Sequence, residues 1–353
     1  MPITIICRGL IVTINLFELF YLIIRFLILR YLIKLINKEE ENKNYSECWI
    51  PFEQLKQIHL IANGGFGRVF KAQWNDRPRL IFDYDTQSKI IKNGREVAIK
   101  YITCSNLSEF HAHILCIKSN SVVPLLGISR DTDTNEFILV MKYAQNGNLN
   151  QYLSRNPNLS WKKKIGLIVD IATGLADIHR AGLIHADFHS GNILISAGGK
   201  ALISDLGLSR SKSLKTCPLS TVLYGVISYI APELIRCRTS YTQAADVYSF
   251  GIVLSEICSG LKPYNDSVSD MFLLLDVCHR ELRPKIHPET PDFLVSIIKS
   301  CWDGDHLKRP SMELVLKFVR NLYINFEFHL EIPMNPSNNC NDPGKSHNKF
   351  NSC

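Results

Sequence analysis

No C-x-x-C pair occurs in this chain of 353 residues, and its 11 cysteines form no Cys/His cluster at zinc spacing. Scattered and odd in number, they argue against a complete disulfide framework and fit reduced thiols in a cytosolic setting. A basic stripe with interleaved aromatics is also absent. Lys plus Arg number 40 against 33 Asp plus Glu, a net charge of +7 that is mild for this length, so no nucleic-acid partner is expected. No apolar run reaches the roughly 20 uninterrupted residues of a membrane span. No small-residue cleavage site follows the apolar stretch near the N-terminus, which weakens a removable secretory signal.

What is present begins with that stretch, Ile3 to Ile36, where Glu18, Arg25, Arg30 and Lys34 interrupt a mostly apolar composition. On a helical wheel Arg8, Asn15, Glu18, Arg25, Arg30 and Lys34 gather on one half and Phe17, Phe20, Ile24, Leu27 and Ile28 on the other. The pattern predicts an amphipathic helix, with three readings: a membrane-surface or signal-anchor helix, a helix packed on the protein, or a segment missing from the working protein. The basic residues at its end would keep the following domain on the cytoplasmic side. No extracellular domain precedes it, so ligand sensing by this chain is not expected. Helix and polar linker occupy residues 1–44, a folded domain 45–323, and a tail rich in Asn, Pro, Ser and Lys, read as disordered, 324–353.

Within the domain, Ile58 to Ala72 reads strand, glycine turn, strand. Gly64, Gly65 and Gly67 let a hairpin close tightly enough for backbone N–H groups to meet an anion. No helix follows, so this is neither a Walker A loop nor a Rossmann turn. Residues 73–95 read as a polar loop. Glu96 to Lys100 is a strand whose terminal lysine is partly buried, hence snorkelling or paired. Glu109 to Leu115 is a short helix, and Val122 to Leu126 and Phe137 to Lys142 are further strands. After Gly147 the period becomes 3.6: Ser160 caps a helix to Arg180 with Ile165, Ile168, Ile171, Leu175 and Ile178 on one face, and Gly182 ends it. Helices dominate the remainder, at Ala244 to Ser259, Phe293 to Cys301 and Met312 to Tyr323.

That capped helix delivers the chain to His185-Ala186-Asp187-Phe188-His189-Ser190-Gly191-Asn192. A carboxylate five positions before a carboxamide suits a loop that aims Asp187 at a hydroxyl while Asn192 turns to a metal ion; an ordinary polar turn has the same spelling. Further on stand Asp205-Leu206-Gly207, Ala231-Pro232-Glu233, Asp246 to Gly251, Cys301-Trp302 and Arg309-Pro310.

Together and in this order, these motifs resemble a eukaryotic protein kinase from near Trp49 to near Tyr323. The late Cys-Trp and Arg-Pro pairs look most like the tyrosine-kinase and tyrosine-kinase-like branches. The resemblance implies an α+β, bilobal fold: a β-rich N-lobe with one helix (45–144) and a mainly helical C-lobe (145–323). It implies ATP and Mg2+, with Mn2+ as an alternative, and a protein substrate phosphorylated on Ser or Thr, with Tyr or dual specificity as the alternatives. By the same resemblance, Ala62, Gly64, Gly65 and Gly67 form the phosphate loop and Lys100 holds the α- and β-phosphates. Val69, Ala98 and Leu194 sandwich the adenine, backbone groups of Lys142 and Ala144 read its edge, and Met141 guards the back of the pocket. Asp205 and Asn192 bind the metal ions, Asp187 orients the acceptor hydroxyl, and Glu233 pairs with Arg309. The rival reading is a nucleotide-binding pseudokinase or scaffold, tethered to a membrane or not.

The chain departs from the family pattern at several positions. The first loop glycine is Ala62, and Leu206 replaces the usual Phe. Ala186 replaces the arginine that pairs with an activation-loop phosphate, although Ser211, Ser213, Thr216, Ser220 and Thr221 could still be phosphorylated. His189 stands where many serine/threonine kinases have a lysine on the γ-phosphate. Glu109 is the nearby carboxylate for Lys100 but lies off the expected register, so the pair either forms through Glu109 or is lost. Oligomeric state, acceptor sequence and pathway are not spelled in these motifs.

Overall fold

β-Branched and aromatic residues crowd the N-terminal third of the chain, and strands form where they do. A computed structural model describes residues 2–7, 10–15, 49–64, 67–75, 79–83, 88–92, 94–102, 107–211, 226–236, 240–265 and 270–327. The chain divides into two units, one of residues 1–110 and 124–143, the other of residues 111–123 and 144–353.

In the first unit, β1 (Pro2–Cys7) and β2 (Leu10–Asn15) pair antiparallel. This corrects the helix expected from residue 3: Ile, Thr and Val fill most of both segments, and their branched Cβ atoms favour the pleated strand over the helix. The rest of the expected helix, the linker up to residue 48 and the tail beyond residue 327 lie outside the described residues. The main sheet runs in the order β3 (Leu55–Gly64), β4 (Gly67–Trp74), β7 (Arg95–Ile102), β9 (Phe137–Lys142) and β8 (Leu125–Arg130). Residues 73–95 are not one loop, because Arg79–Asp83 (β5) and Ser88–Lys92 (β6) make a second antiparallel pair. Their Leu, Ile and Phe runs are strand-forming despite the polar average of the segment. The strand expected at Val122 to Leu126 starts later, and Val122 makes only a parallel bridge to Ile203.

Alternation sorts the faces of the main sheet. Val97 and Ile99 join Leu55, Ala72, Trp74, Ile138 and Val140 in a core, which sends Ala98 and Lys100 to the other face. The helix α1 (Leu107–Leu115) follows β7.

The second unit is built on two helices after the short α2 (Leu149–Arg155). Helix α3 (Trp161–Arg180) starts where Ser160 accepts a hydrogen bond from the Lys163 N–H, and stops before Gly182 at φ +76°. It leads into β10 (Leu183–Ile184), the loop containing Asp187, and the antiparallel pair β11 (Ile193–Ile195) and β12 (Ala201–Ile203). The short strand β13 (Arg210–Ser211) pairs with β10. After α4 (Pro232–Arg236), helix α5 (Gln243–Ser259) is buried along nearly its whole length, capped by Thr242 and ended by Gly260 at φ +72°. An all-round buried helix is a core element. Helices α6 (Asp270–His279), α7 (Asp292–Cys301) and α8 (Met312–Glu327) complete the unit, α8 running four residues past the expected domain end. Cys116, Cys258, Cys278 and Cys301 are buried free thiols, and burial pushes Cys116 up to about 11 and Cys301 up to about 12, as expected of inert packing residues. Among the described residues no helix is long and apolar enough to cross a membrane.

Candidate active site

Strand register assembles the first group of candidate residues. Val69 lies opposite Lys100, Ala62 opposite Val69, and Ala98 opposite Met141, so all five share the sheet face turned away from the core. Gly64 and Gly67 face each other across the turn, Gly67 at φ +126°, where a side chain would be strained; Gly65 lies outside the described residues. The Lys142 N–H donates to the Pro124 carbonyl at 3.0 Å.

Lys100 is 4% exposed, and its ammonium donates to Glu109 Oε1 at 2.7 Å; Glu109 is 1% exposed. A buried ammonium needs an anion beside it, and Glu109 supplies one and fixes the direction of the lysine. Of the two outcomes left open by the sequence, the structure has the pair formed. Helix α1 begins at Leu107, early enough to bring Glu109 round to the sheet despite its offset register.

The second group stands on the loop after β10. Asp246, buried in α5, accepts from the His185 N–H at 2.8 Å and the Ala186 N–H at 3.0 Å, and its Oδ2 lies 2.9 Å from His179 Nε2. These bonds hold Ala186 at φ +65°, an uncommon conformation for a residue with a Cβ. His185 donates from Nε2 to the Ser204 carbonyl at 3.0 Å and accepts from the Asp187 N–H on Nδ1 at 3.3 Å. Phe188 fills the space beneath, edge-on to His185 and tilted against Phe250.

Asp187 is buried. Its Oδ2 accepts from the Asn192 amide at 3.0 Å, while Oδ1 has no hydrogen-bond partner among the described residues. Burial alone would raise its carboxyl, but His189, His185 and Asn192 outweigh burial and hold it below the usual aspartate value. It is therefore an anion at neutral pH with one oxygen unused, able to accept a hydrogen bond and then a proton.

Because Asn192 points its nitrogen at Asp187, its Oδ1 is turned elsewhere. The Ser204 N–H and hydroxyl both donate to the Asn192 carbonyl, at 2.8 and 2.9 Å, which ties this loop to the residue before Asp205. Asp205 is left-handed at φ +57° and accepts from the Gly207 N–H at 3.3 Å. An amide oxygen and a carboxylate are both ligands that suit a hard divalent cation. Among the described residues no three His, Cys, Asp or Glu side chains cluster as a metal cage. Leu194 lies on β11, opposite Leu202. Ala144 accepts at its carbonyl from the Gly147 N–H at 3.4 Å.

Arg309 makes a bidentate pair with Glu233, both bonds 2.7 Å, and also donates to the Ala244 and Asp303 carbonyls, as expected for a structural anchor. Sequence reasoning missed the roles of Asp246 and His179, and a buried chain in which Tyr229 donates to Glu256 Oε2 at 2.7 Å while Asn150 donates to Oε1 at 3.0 Å. An acid near each end of an otherwise mostly apolar helix, Asp246 in the first turn and Glu256 in the last, was the available signal for both carboxylates. Ser211 is a described residue; Ser213, Thr216, Ser220 and Thr221 are not.

Comparison with known proteins agrees with this architecture. The family model for protein tyrosine and serine/threonine kinases matches residues 55–319. The chain is 28% identical over 324 residues to the L-type lectin-domain containing receptor kinase S.1 of Arabidopsis thaliana, covering 81% of this chain and 46% of that protein. It is 30% identical over 299 residues to the probable serine/threonine-protein kinase roco11 of Dictyostelium discoideum, covering 80% of this chain and 19% of that protein. The chain thus spans less than half the length of these curated relatives. With three quarters of its length matched by one family model, the chain belongs to the protein tyrosine and serine/threonine kinases of the eukaryotic protein kinase superfamily.

Proposed function

We propose that this chain is an active kinase that transfers the γ-phosphoryl group of ATP to serine or threonine hydroxyls of protein substrates, of the tyrosine-kinase-like type. The observation that carries this reading is the Asp187 carboxylate, ionised, with Oδ2 held by Asn192 and Oδ1 without a partner among the described residues. From the first unit, Lys100, oriented by Glu109, pairs with the α- and β-phosphates. The backbone of the Ala62, Gly64, Gly65 and Gly67 turn covers the phosphates, and Val69, Ala98 and Met141 present apolar surface to the base. The Lys142 carbonyl meets its edge. In the second unit, Ala144 and Leu194 are the residues that the family resemblance assigns to the nucleotide. Asp205 and Asn192 offer oxygen ligands to Mg2+, which when bound offsets the charge that develops on the transferring phosphoryl group. Asp187 accepts a hydrogen bond from the acceptor hydroxyl, holding its oxygen in line, and receives its proton as the new P–O bond forms and the bond between the γ-phosphorus and the β-phosphate oxygen breaks, with ADP as the leaving group.

The test is transfer from labelled ATP to a generic protein substrate, followed by phosphoamino-acid analysis. Asp187→Asn is expected to fall by about 100-fold or more, since proton acceptance contributes at least that much, with the label on serine or threonine in the unmodified protein. Equal rates for the two proteins would overturn the enzyme reading. Nucleotide binding without transfer by either would replace it with a scaffold.

A further inference from the structure

His189 is seated by more of its surroundings than a solvent-facing loop residue requires. Its Nδ1 accepts from the Gly191 N–H at 3.1 Å, which places the ring proton on Nε2. That Nε2 lies 3.6 Å from Asp187 Oδ2, and the ring rests against Tyr229 with centroids 5.8 Å apart. Gly191 is what admits the ring: a Cβ there would stand 2.6 Å from His189 Cε1 and 2.8 Å from Nδ1. The oxygen that His189 faces is the one Asn192 already holds, and the opposite oxygen, Oδ1, is left without a partner among the described residues.

We propose that His189 is a positioning residue for the transfer: held by Gly191 with Nε2 towards the carboxylate, it acts as a donor to Asp187 Oδ2 and, with Asn192, keeps Oδ1 aimed at the acceptor hydroxyl. The inference rests on the kinase reading above. At 3.6 Å the contact is longer than a formed hydrogen bond, and it shortens when the acceptor draws the carboxylate into place. A lysine at this position would bring a full charge on a flexible stem; the imidazole brings a fixed direction and no obligatory charge.

The two ring nitrogens can be tested separately, because asparagine carries an oxygen near the position of Nδ1 and glutamine a nitrogen near that of Nε2. His189→Asn keeps the Gly191 bond and loses the donor to Asp187. His189→Gln does the reverse. With saturating Mg2+ and ATP and the full chain, kcat of His189→Asn is expected to drop about tenfold, the worth of one hydrogen bond to a charged group, with KM for both substrates within about twofold. His189→Gln is expected to retain about a third of kcat or more, even where its unfolding midpoint is lower. Gly191→Ala, which displaces the ring without altering it, should match His189→Asn. The opposite order, with the asparagine variant active and the glutamine variant impaired, would mean that His189 only braces the loop and overturns the proposal. Wild-type rates in all three variants would overturn it too. Absence of transfer by the unmodified protein would remove the kinase reading and this inference together, so the two failures are distinguishable.

Discussion

Asp246 binds three groups at once, and its value is easiest to see in what would be stranded without it. The His185 and Ala186 N–H groups are buried, His179 Nε2 is close by, and the left-handed Ala186 backbone is held by the same carboxylate. Asp246→Ala should therefore destabilise the protein by about 3 kcal/mol or more, since each stranded buried donor costs about 1–3 kcal/mol. Urea unfolding measures this, and a loss below about 1 kcal/mol would mean that water or another side chain takes over both N–H groups. Asp187 and Asn192 were legible because their relation is local, five positions along one loop. The role of Asp246 was not, because it depends on partners some sixty positions away in sequence. Glu109 lay between these cases: its chemistry was readable, but its reach depended on where helix α1 starts.

Helix α3 separates two uses of glycine. At Gly174 an added Cβ would come 2.5 Å from the Ser121 carbonyl and 2.8 Å from Ile203, where β12 bonds to residues 121 and 123. At Gly166 it would meet only Tyr323, at an ordinary 3.7 Å. Gly174→Ala should cost about 1–3 kcal/mol through overpacking, whereas Gly166→Ala should gain about 0.5–1 kcal/mol because alanine is the better helix former. Thermal unfolding of the two variants should show shifts of opposite sign, and equal shifts would refute the close approach at Gly174. The helix itself was readable, since its capping serine and terminal glycine bracket a 3.6-residue apolar stripe in which Ile165, Ile168, Ile171, Leu175 and Ile178 are all fully buried. The N-terminal segment misled because a helical wheel weighs polarity alone. It takes no account of branching at Cβ, and Pro2–Cys7 and Leu10–Asn15 are strands for that reason.

For the whole molecule, we propose that the folded domain starts at Trp49 rather than at the chain's first strands, which cluster with the first unit. Trp49 bridges to Ile128, the Ile50 N–H donates to the Ile128 carbonyl at 2.9 Å, and Ile50 is fully buried in the core of the first unit. Strands β1 and β2 pair with each other in a sheet of their own, so among the described residues removal of 1–48 takes no ladder bond from the five-stranded sheet. That deletion should leave the urea midpoint and the transfer rate on a peptide substrate unchanged. Extending it through residue 54 removes Ile50 as well and should cost about 2–5 kcal/mol, the range for emptying a buried aliphatic site. The apolar composition of residues 3–36 gives the same pair of proteins a second readout, sedimentation with lipid vesicles. Pelleting of the full chain but not of the protein lacking residues 1–48 would support the membrane-surface reading of that segment. If both pellet equally, the segment has no part in membrane association; if the shorter protein unfolds at lower urea, residues before Trp49 belong to the folded domain.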